Sequence, residues 1–393
     1  MAATAYLMHP QVMTTTPMAL PMTIQLSGGL LGLCFILSCL ALAQLSRFSA
    51  WRLSAQIVPL WLALTALAAV IVMVFRLEYS SVFIMVNWPL GLIFLFLLGR
   101  MLSASRASVF AVMPGVDTSE MTTGDYIPMD GLSLPTRAVD AVIATNDEIA
   151  NPDFAPVITQ LAINKIPVLP EELFREQVTG RVNHRRVDAA DLIQLRPYRR
   201  YMVIKRLSDI LMASVGLVIL SPLMLVVAVM IRLESKGPAV FVQRRVGEGG
   251  REFRMYKFRS MVQDAESKGA KFATASDARI TSLGRVIRKL RIDELPQLVN
   301  VLSGSMSMIG PRPEQKAFVD NLAEDIPLYP FRHAVRPGIT GWAQVMQGYA
   351  DDVSSTDVKL SYDLFYIKNL SLMMDMVIFF KTIKTIITGF GAR

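Results

Sequence analysis

Two adjacent carboxylates, Asp293 and Glu294, stand in the run GRVIRKLRIDELPQLVNVLSGSMSMIGPRP, residues 284 to 313. Arg285, Arg288, Lys289 and Arg291 precede them, and Arg312 follows, held between Pro311 and Pro313. Ile292, Leu295, Leu298, Val299 and Leu302 keep helical spacing, and Pro296 is tolerated only in a first turn, so a helix is expected to begin close to Asp293. Both carboxylates then lie at the positive end of a helix, which favours ionised acid and bound phosphate alike. A carboxylate among so many cations is ionised near neutral pH and can attack phosphorus or ligate a hard ion such as Mg²⁺. The guanidinium forks of these arginines suit phosphate oxygens. Either use of the acid implies phosphoryl transfer. The alternative is a helix cap with arginine partners and no chemistry.

A second basic cluster is FVQRRVGEGGREFRMYKFRSM, residues 241 to 261. Alternation around Phe253, Met255 and Phe258 predicts a strand with Lys257 and Arg259 on one face beside a glycine-bearing turn. Those two residues would grip either a nucleotide diphosphate or lipid head groups. The run RPGITGWAQV, residues 336 to 345, reads as a rigid loop whose Trp342 belongs at a membrane interface or in a packed core.

These residues need elements to carry them. The chain has 393 residues, 52% of them hydrophobic, and a formal net charge of +8. That composition is a membrane protein's, and the charge suits anionic partners without choosing among them. The scattered histidines and two cysteines in one apolar run exclude a zinc site or a disulfide framework. Apolar stretches at 27–46, 55–75 and 81–99 are long enough to span a bilayer, and the Arg residues after the first and third put the N-terminus outside and residue 100 inside. Residues 103–200 then read as strand, helix, strand through RAVDAVIAT, FAPVITQLAINK and IPVLP, half of a doubly wound, Rossmann-like unit. It has no G-x-G-x-x-G after its first strand, so nucleotide binding is not expected there.

Uncharged residues run from Ile210 to Ile231, with basic clusters on both sides. A straight span would put one cluster outside, against the orientation bias. Pro222 removes a backbone donor, and Ser221 can hydrogen-bond a carbonyl one turn back, so a helical hairpin that dips in and returns is expected. In the tail MVIFFKTIKTIITGF, Met376, Phe379, Phe380, Ile383, Ile387 and Phe390 share a helical face; that helix lies on a membrane surface or packs on its own domain.

With these motifs in order, KRLSD, LSP, GPAVFVQRRVG, YKFRSM, LRIDELPQLVNVL, MIGPRP, RPGITGWAQV and DLFYIKN, the chain over roughly residues 200 to 389 resembles the bacterial sugar transferases, the monotopic polyprenyl-phosphate phosphoglycosyl transferases. The resemblance implies transfer of a sugar 1-phosphate from a UDP-sugar to undecaprenyl phosphate, with release of UMP, at the cytoplasmic face of the bacterial inner membrane and with Mg²⁺. It implies Asp293 as the nucleophile that carries the phosphosugar and Glu294 as its partner near the metal. By the same likeness Arg288, Arg312 and Lys257 hold phosphate groups, and Ser221 and Pro222 form the bend of a re-entrant helix.

The expected architecture is therefore a membrane α/β protein. It would comprise a non-cytoplasmic tail (1–26), three transmembrane helices (27–102), a shortened Rossmann-like domain (103–200) and a mixed α/β catalytic domain (201–393). The last would carry a re-entrant hairpin at 207–232 and surface amphipathic helices. Longer members of the family commonly carry four spans and a fuller α/β domain. The expected partners are a UDP-sugar, with glucose or galactose as default, undecaprenyl phosphate and the lipid bilayer. No nucleic acid is expected, and homo-oligomerisation stays open. The competing readings are a non-catalytic scaffold or lipid-binding subunit, and a transporter subunit, which the scarcity of charge in the first three spans disfavours.

Overall fold

A computed structural model describes residues 22–45, 53–104, 109–118, 125–130, 133–183, 199–262, 279–347 and 353–388. Most of the expected N-terminal tail, with Arg47, Arg52 and Phe390, lies outside the described residues. The chain divides into two units, Met1–Thr179 and Gly180–Arg393. Residues 180–182 are fastened into the second: Trp342 donates its indole N–H to the Gly180 carbonyl (2.9 Å), and Val182 N donates to the Ser361 carbonyl (3.0 Å).

The first unit opens with α1 (Met22–Leu45), α2 (Leu53–Val74) and α3 (Ser81–Ala104), which pack pairwise into a bundle. Close approach is possible because Gly91 lies under Trp61; a Cβ there would stand 2.7 Å from the ring. Interior polar groups find partners within the bundle, as lipid requires: Trp61 Nε1 donates to the Trp88 carbonyl (3.2 Å) and Trp88 Nε1 to Thr65 Oγ1 (3.1 Å). Ile36, Phe94 and Leu97 point outward, each more than half exposed. Such an apolar exterior belongs in a bilayer.

The same unit continues with β1 (Val109–Val112), β2 (Asp125–Pro128), β3 (Ala141–Ala144), α4 (Asn146–Ala150), α5 (Ala155–Ile163), β4 (Val168–Pro170) and α6 (Glu171–Thr179). The strands form a parallel sheet in the order β2-β1-β3-β4 around Ala111, Val142, Ile143, Leu161 and Phe174. The strand–helix–strand reading of 137–170 is thus met by β3, α5 and β4. At the carboxyl ends of β1 and β3, where such sheets usually bind ligands, Glu148 accepts from Gly115 N (2.7 Å) and Thr145 N (2.9 Å). The chain's own carboxylate therefore occupies the donors that would meet a phosphate.

The second unit is organised on α7 (Arg199–Glu234), 36 residues long. It continues through β5 (Val240–Val246), β6 (Glu252–Phe258), α8 (Ser282–Lys289), α9 (Gln297–Ser303), β7 (Ser307–Ile309), α10 (Lys316–Asp325) and β8 (Gly338–Thr340). α11 (Trp342–Met346), α12 (Val353–Lys368) and α13 (Leu372–Thr388) follow. The strands β5 and β6 form an antiparallel hairpin, and β7 and β8 a parallel pair.

Helix α7 is long and apolar enough to cross a membrane, as are α1 and α3. The expected helix–break–helix is not interrupted: α7 runs through Pro222 as one helix. The physical expectation for Ser221 holds, since its hydroxyl donates to the Val218 carbonyl (2.9 Å), the group that the missing Pro222 N–H leaves without its usual partner. Both halves of α7 pack within the second unit, each against its own apolar cluster. Ala213, Leu217 and Leu220 meet Leu298, Val301 and Met255; Met224, Val227 and Ile231 meet Leu295, Phe258 and Ile287. The opposite side of the helix exposes Leu211, Val215, Val218, Ile219, Leu225, Val226 and Leu233.

Two aromatic expectations resolve through burial. Trp342 is 1% exposed, stacked on Phe365 with Lys381 over its ring, so it is a core tryptophan and not an interface one. Helix α13 packs on its own domain through Met374, Val377 and Ile378 and exposes Leu372, Phe379 and Ile383.

Candidate active site

The turn that presents the two carboxylates is built by local rules. Thr281 caps α8, its hydroxyl accepting from Gly284 N (2.9 Å), and Gly284 is obligatory because a Cβ would fall 2.0 Å from the Ser260 carbonyl oxygen. After α8, Arg291 adopts a left-handed conformation (φ 55°), a place usually given to glycine, and reverses the chain. Ile292–Glu294 then form a 3₁₀ turn that runs through Pro296 into α9, as the placement of that proline predicts.

The neighbouring acids have opposite surroundings. Glu294 is buried, its Oε1 2.9 Å from Arg312 Nη1 and 3.8 Å from Lys257 Nζ, its Oε2 3.8 Å from Arg291 Nη1. Burial would raise its pKa, but Arg312, Lys257 and Arg291 outweigh that and hold it down to about 2. Asp293 is half-buried and makes no hydrogen bond or ion pair within 4 Å among the described residues. Burial, reinforced by the charge of Glu294, pushes its carboxyl up to about 6, with Lys257, Arg288 and Arg312 opposing. Near neutral pH it is therefore mostly ionised and without a partner.

The cations come from separate elements. Lys257 lies on β6, opposite Phe241; burial and the charge of Arg312 lower its pKa to about 8 against the pull of Glu294. Arg288 occupies the last turn of α8 and acts on Asp293 through space. Arg312 follows β7, and its loop is clamped from behind. Arg332 Nη2 donates to the Arg312 carbonyl (2.9 Å) and to Asp363 Oδ2 (2.7 Å), while Arg245 Nη1 donates to the Pro313 carbonyl (3.2 Å). Glu314 pairs with Arg245 (3.2 Å) and with Lys359. Burial works against ionised Glu314, yet Lys359 and Arg245 bring its pKa well below the usual carboxylate range.

Arg259 is not part of this cluster. It is 8% exposed, and its guanidinium donates to the carbonyls of Ile231 (3.3 Å), Ser235 (2.8 Å) and Lys236 (3.0 Å), capping the end of α7. Strand β6 ends at Phe258, so the alternation that paired Arg259 with Lys257 stops one residue short. Ser221 and Pro222 are exposed at mid-α7, away from the acids in sequence and on the apolar element. Sequence reasoning placed Arg291 in the basic run before the acids but gave it no partner, and it assigned no role in the site to Arg245, Glu314, Arg332, Lys359 and Asp363. The acid directly after Pro-Arg-Pro was the one available signal.

Residues 200–389 match the model of the bacterial sugar transferase family. A relative from Aeromonas hydrophila, a UDP-N-acetylgalactosamine-undecaprenyl-phosphate N-acetylgalactosaminephosphotransferase, is 42% identical over 367 residues, covering 91% of this chain and 86% of that protein. The chain belongs to the bacterial sugar transferase family. Its similarity to a UDP-glucose:undecaprenyl-phosphate glucose-1-phosphate transferase from Xanthomonas campestris pv. campestris is 45% identity over 179 residues, 45% of this chain and 37% of that one. A putative undecaprenyl-phosphate N-acetylgalactosaminyl 1-phosphate transferase from Bacillus subtilis (strain 168) is 52% identical over 128 residues, 33% of this chain and 72% of that one. Asp293, Glu294 and Arg312 all fall inside the segment that the family model covers.

Proposed function

We propose that this chain moves a sugar 1-phosphate from a UDP-sugar to undecaprenyl phosphate and releases UMP, with Asp293 as nucleophile. One observation carries the reading: of two neighbouring acids, Glu294 is neutralised by cations while Asp293 is left ionised and unbonded. A scaffold has no use for that asymmetry. An Asp293 oxygen attacks the β-phosphorus, the bond from that phosphorus to the bridging oxygen breaks, and its electron pair leaves with UMP. A phosphate oxygen of the lipid then attacks the aspartyl-bound phosphorus and frees the carboxylate. No proton moves in either step, so the work is positioning and charge neutralisation. Arg312 and Lys257 face the diphosphate, and Glu294 keeps both in place.

The residues fit a divalent ion held in part by substrate. Among the described residues no group of three His, Cys, Asp or Glu side chains is arranged as a metal cage. Mg²⁺ commonly takes one or two carboxylates plus phosphate oxygens, and Asp293 is the acid free to serve, Glu294 being engaged by its cations. Such an ion would neutralise charge on the diphosphate.

Membrane geometry supports the assignment of substrates. As a straight rod α7 would measure about 54 Å for its 36 residues, more than a hydrocarbon core of roughly 30 Å. Yet Arg206 near its start donates to the carbonyls of Val301 (2.6 Å) and Leu302 (2.8 Å), and Arg259 caps its end. Both ends are held by the second unit, so we read α7 as a helix that sinks its exposed apolar side into one leaflet without crossing the bilayer, on the cytoplasmic side, where UDP-sugars are. Single cysteines at Val203 and Lys236, in a chain with Cys34→Ala and Cys39→Ala, are expected to resist impermeant maleimide in intact cells. Both should label after permeabilisation. Labelling of one site alone from outside would show a span.

The decisive experiment incubates the purified chain with undecaprenyl phosphate, Mg²⁺ and a panel of UDP-sugars and measures UMP. UDP-N-acetylgalactosamine heads the panel, because the relative matched along 91% of the chain is named for it. UMP from none of the donors would end this reading. The kcat/KM profile is expected to be a bell. Its acid limb lies near pH 6, where protonation of Asp293 abolishes attack, and its alkaline limb near pH 8, where Lys257 loses its charge. A flat profile across that range would contradict the assigned roles.

A further inference from the structure

Gln297, beside the two acids, is a buried polar group, 2% exposed, whose side-chain N–H donors find no partner among the described residues. Native chains rarely leave a buried amide donor unpaired, because its lost hydration is not recovered. The next buried amide along α9 makes the contrast. Asn300 accepts from Tyr256 N (3.0 Å) and donates to the Arg254 carbonyl (2.7 Å), so this helix can satisfy an amide where the task is to hold β6.

Position says what Gln297 faces. From Ile292 to Ser303 the backbone stays helical, Leu295 (φ −56°, ψ −36°) and Pro296 (φ −61°, ψ −17°) included. Residues 293, 297 and 300 therefore share one face, and side chains on a helix lean toward its N-terminus, so Gln297 overlies the turn that carries Asp293. The contacts on either side agree. Asn300 is bound to β6 on one flank of Gln297, and Glu294 reaches Lys257 of the same strand (3.8 Å) on the other. An unpaired donor and an unpaired nucleophile thus stand one turn apart.

We propose that Gln297 is a catalytic residue whose amide N–H donates to a non-bridging oxygen of the phosphoryl group that passes through Asp293. The inference rests on the reaction above. As the Asp293 oxygen bonds to the β-phosphorus and the bridging oxygen departs with its electron pair, the non-bridging oxygens carry the charge that a fixed donor stabilises. The amide gains its missing partner only when substrate is present.

The test is Gln297→Met in the full-length protein, assayed for UMP with whichever UDP-sugar the wild type uses. Methionine has the same length and no polar atom. The expected result is a kcat lower by about 100-fold, with the KM for the UDP-sugar within about threefold and a melting temperature at or above wild type. Turnover within twofold of wild type would overturn the proposal and leave the amide a site for bound water. Should the methionine variant melt early, Gln297→Asn keeps the amide but withdraws it by one methylene. A lowered kcat at wild-type Tm in that variant supports the role, and an unchanged kcat removes it. A wild-type chain that yields no UMP from any donor is a failure of the reaction, not of this residue.

Discussion

Asp293→Asn is expected to lower UMP release by at least about 10⁴-fold, the scale on which removal of a covalent nucleophile acts. Intact-mass spectra after incubation with the UDP-sugar, lipid acceptor withheld, should lack the phosphosugar adduct expected of the wild type. Unfolding cannot account for such a loss. Burial raises the Asp293 pKa to about 6, so the stability this group contributes is present below its unfolded pKa and is lost as pH rises through 6. At pH 8 the ionised carboxylate is a net cost to the folded state that asparagine does not carry. The variant should therefore melt at or above the wild-type temperature at that pH. Release of UMP at the wild-type rate would remove Asp293 from the mechanism.

Arg332→Met should have the largest effect on stability, about 3–5 kcal/mol, measured by denaturant unfolding of the second unit's signal in detergent. Arg332 and Asp363 are each 1% exposed at their side chains and 2.7 Å apart, and Arg332 also donates to Tyr329 Oη (2.7 Å) and the Arg312 carbonyl. Methionine leaves the Asp363 carboxylate buried without its ion-pair partner, with only the more distant charge of Lys359 to oppose its burial. Burial already pushes the pKa of Asp363 up with Arg332 in place, so in the variant it rises further and the acid takes a proton as pH falls. The defect is then greatest at high pH and shrinks on acidification. Arg332→Met combined with Asp363→Leu should recover part of the loss, because an apolar pair of similar volume needs no desolvated charge. A single variant as stable as wild type would mean that the clamp behind Arg312 does nothing.

Much of the site was legible before any coordinates because it is local. Asp293, Glu294 and Pro296 lie within four residues, and one proline fixed where the helix starts. What separates the two acids was not legible. It depends on Lys257 and Arg312 reaching Glu294 rather than Asp293, across 37 and 18 residues of chain. The clamp of Arg332 on Asp363, and of Arg245 and Lys359 on Glu314, is equally non-local, and no periodicity marks it. Arg259 was misplaced because alternation gives the facing of residues only while a strand lasts. Trp342 had two physically equal homes, and only packing against Phe365 chose between them. In the fold, apolar length identified α1, α2, α3 and α7 directly, whereas the fastening of both ends of α7 within the second unit rests on Arg206 and Arg259, basic residues that composition reads only as charge.

On the placement proposed for α7, a helix held at both ends by its own domain has no second water surface to reach. Its insertion depth is set by where that domain floats, not by the distance between two head-group planes. A spanning helix must tilt, bend or thin its surroundings when acyl chains lengthen or shorten. With α7 so placed, turnover by this second unit should vary little across vesicles of different acyl length and should respond instead to the packing density of one leaflet.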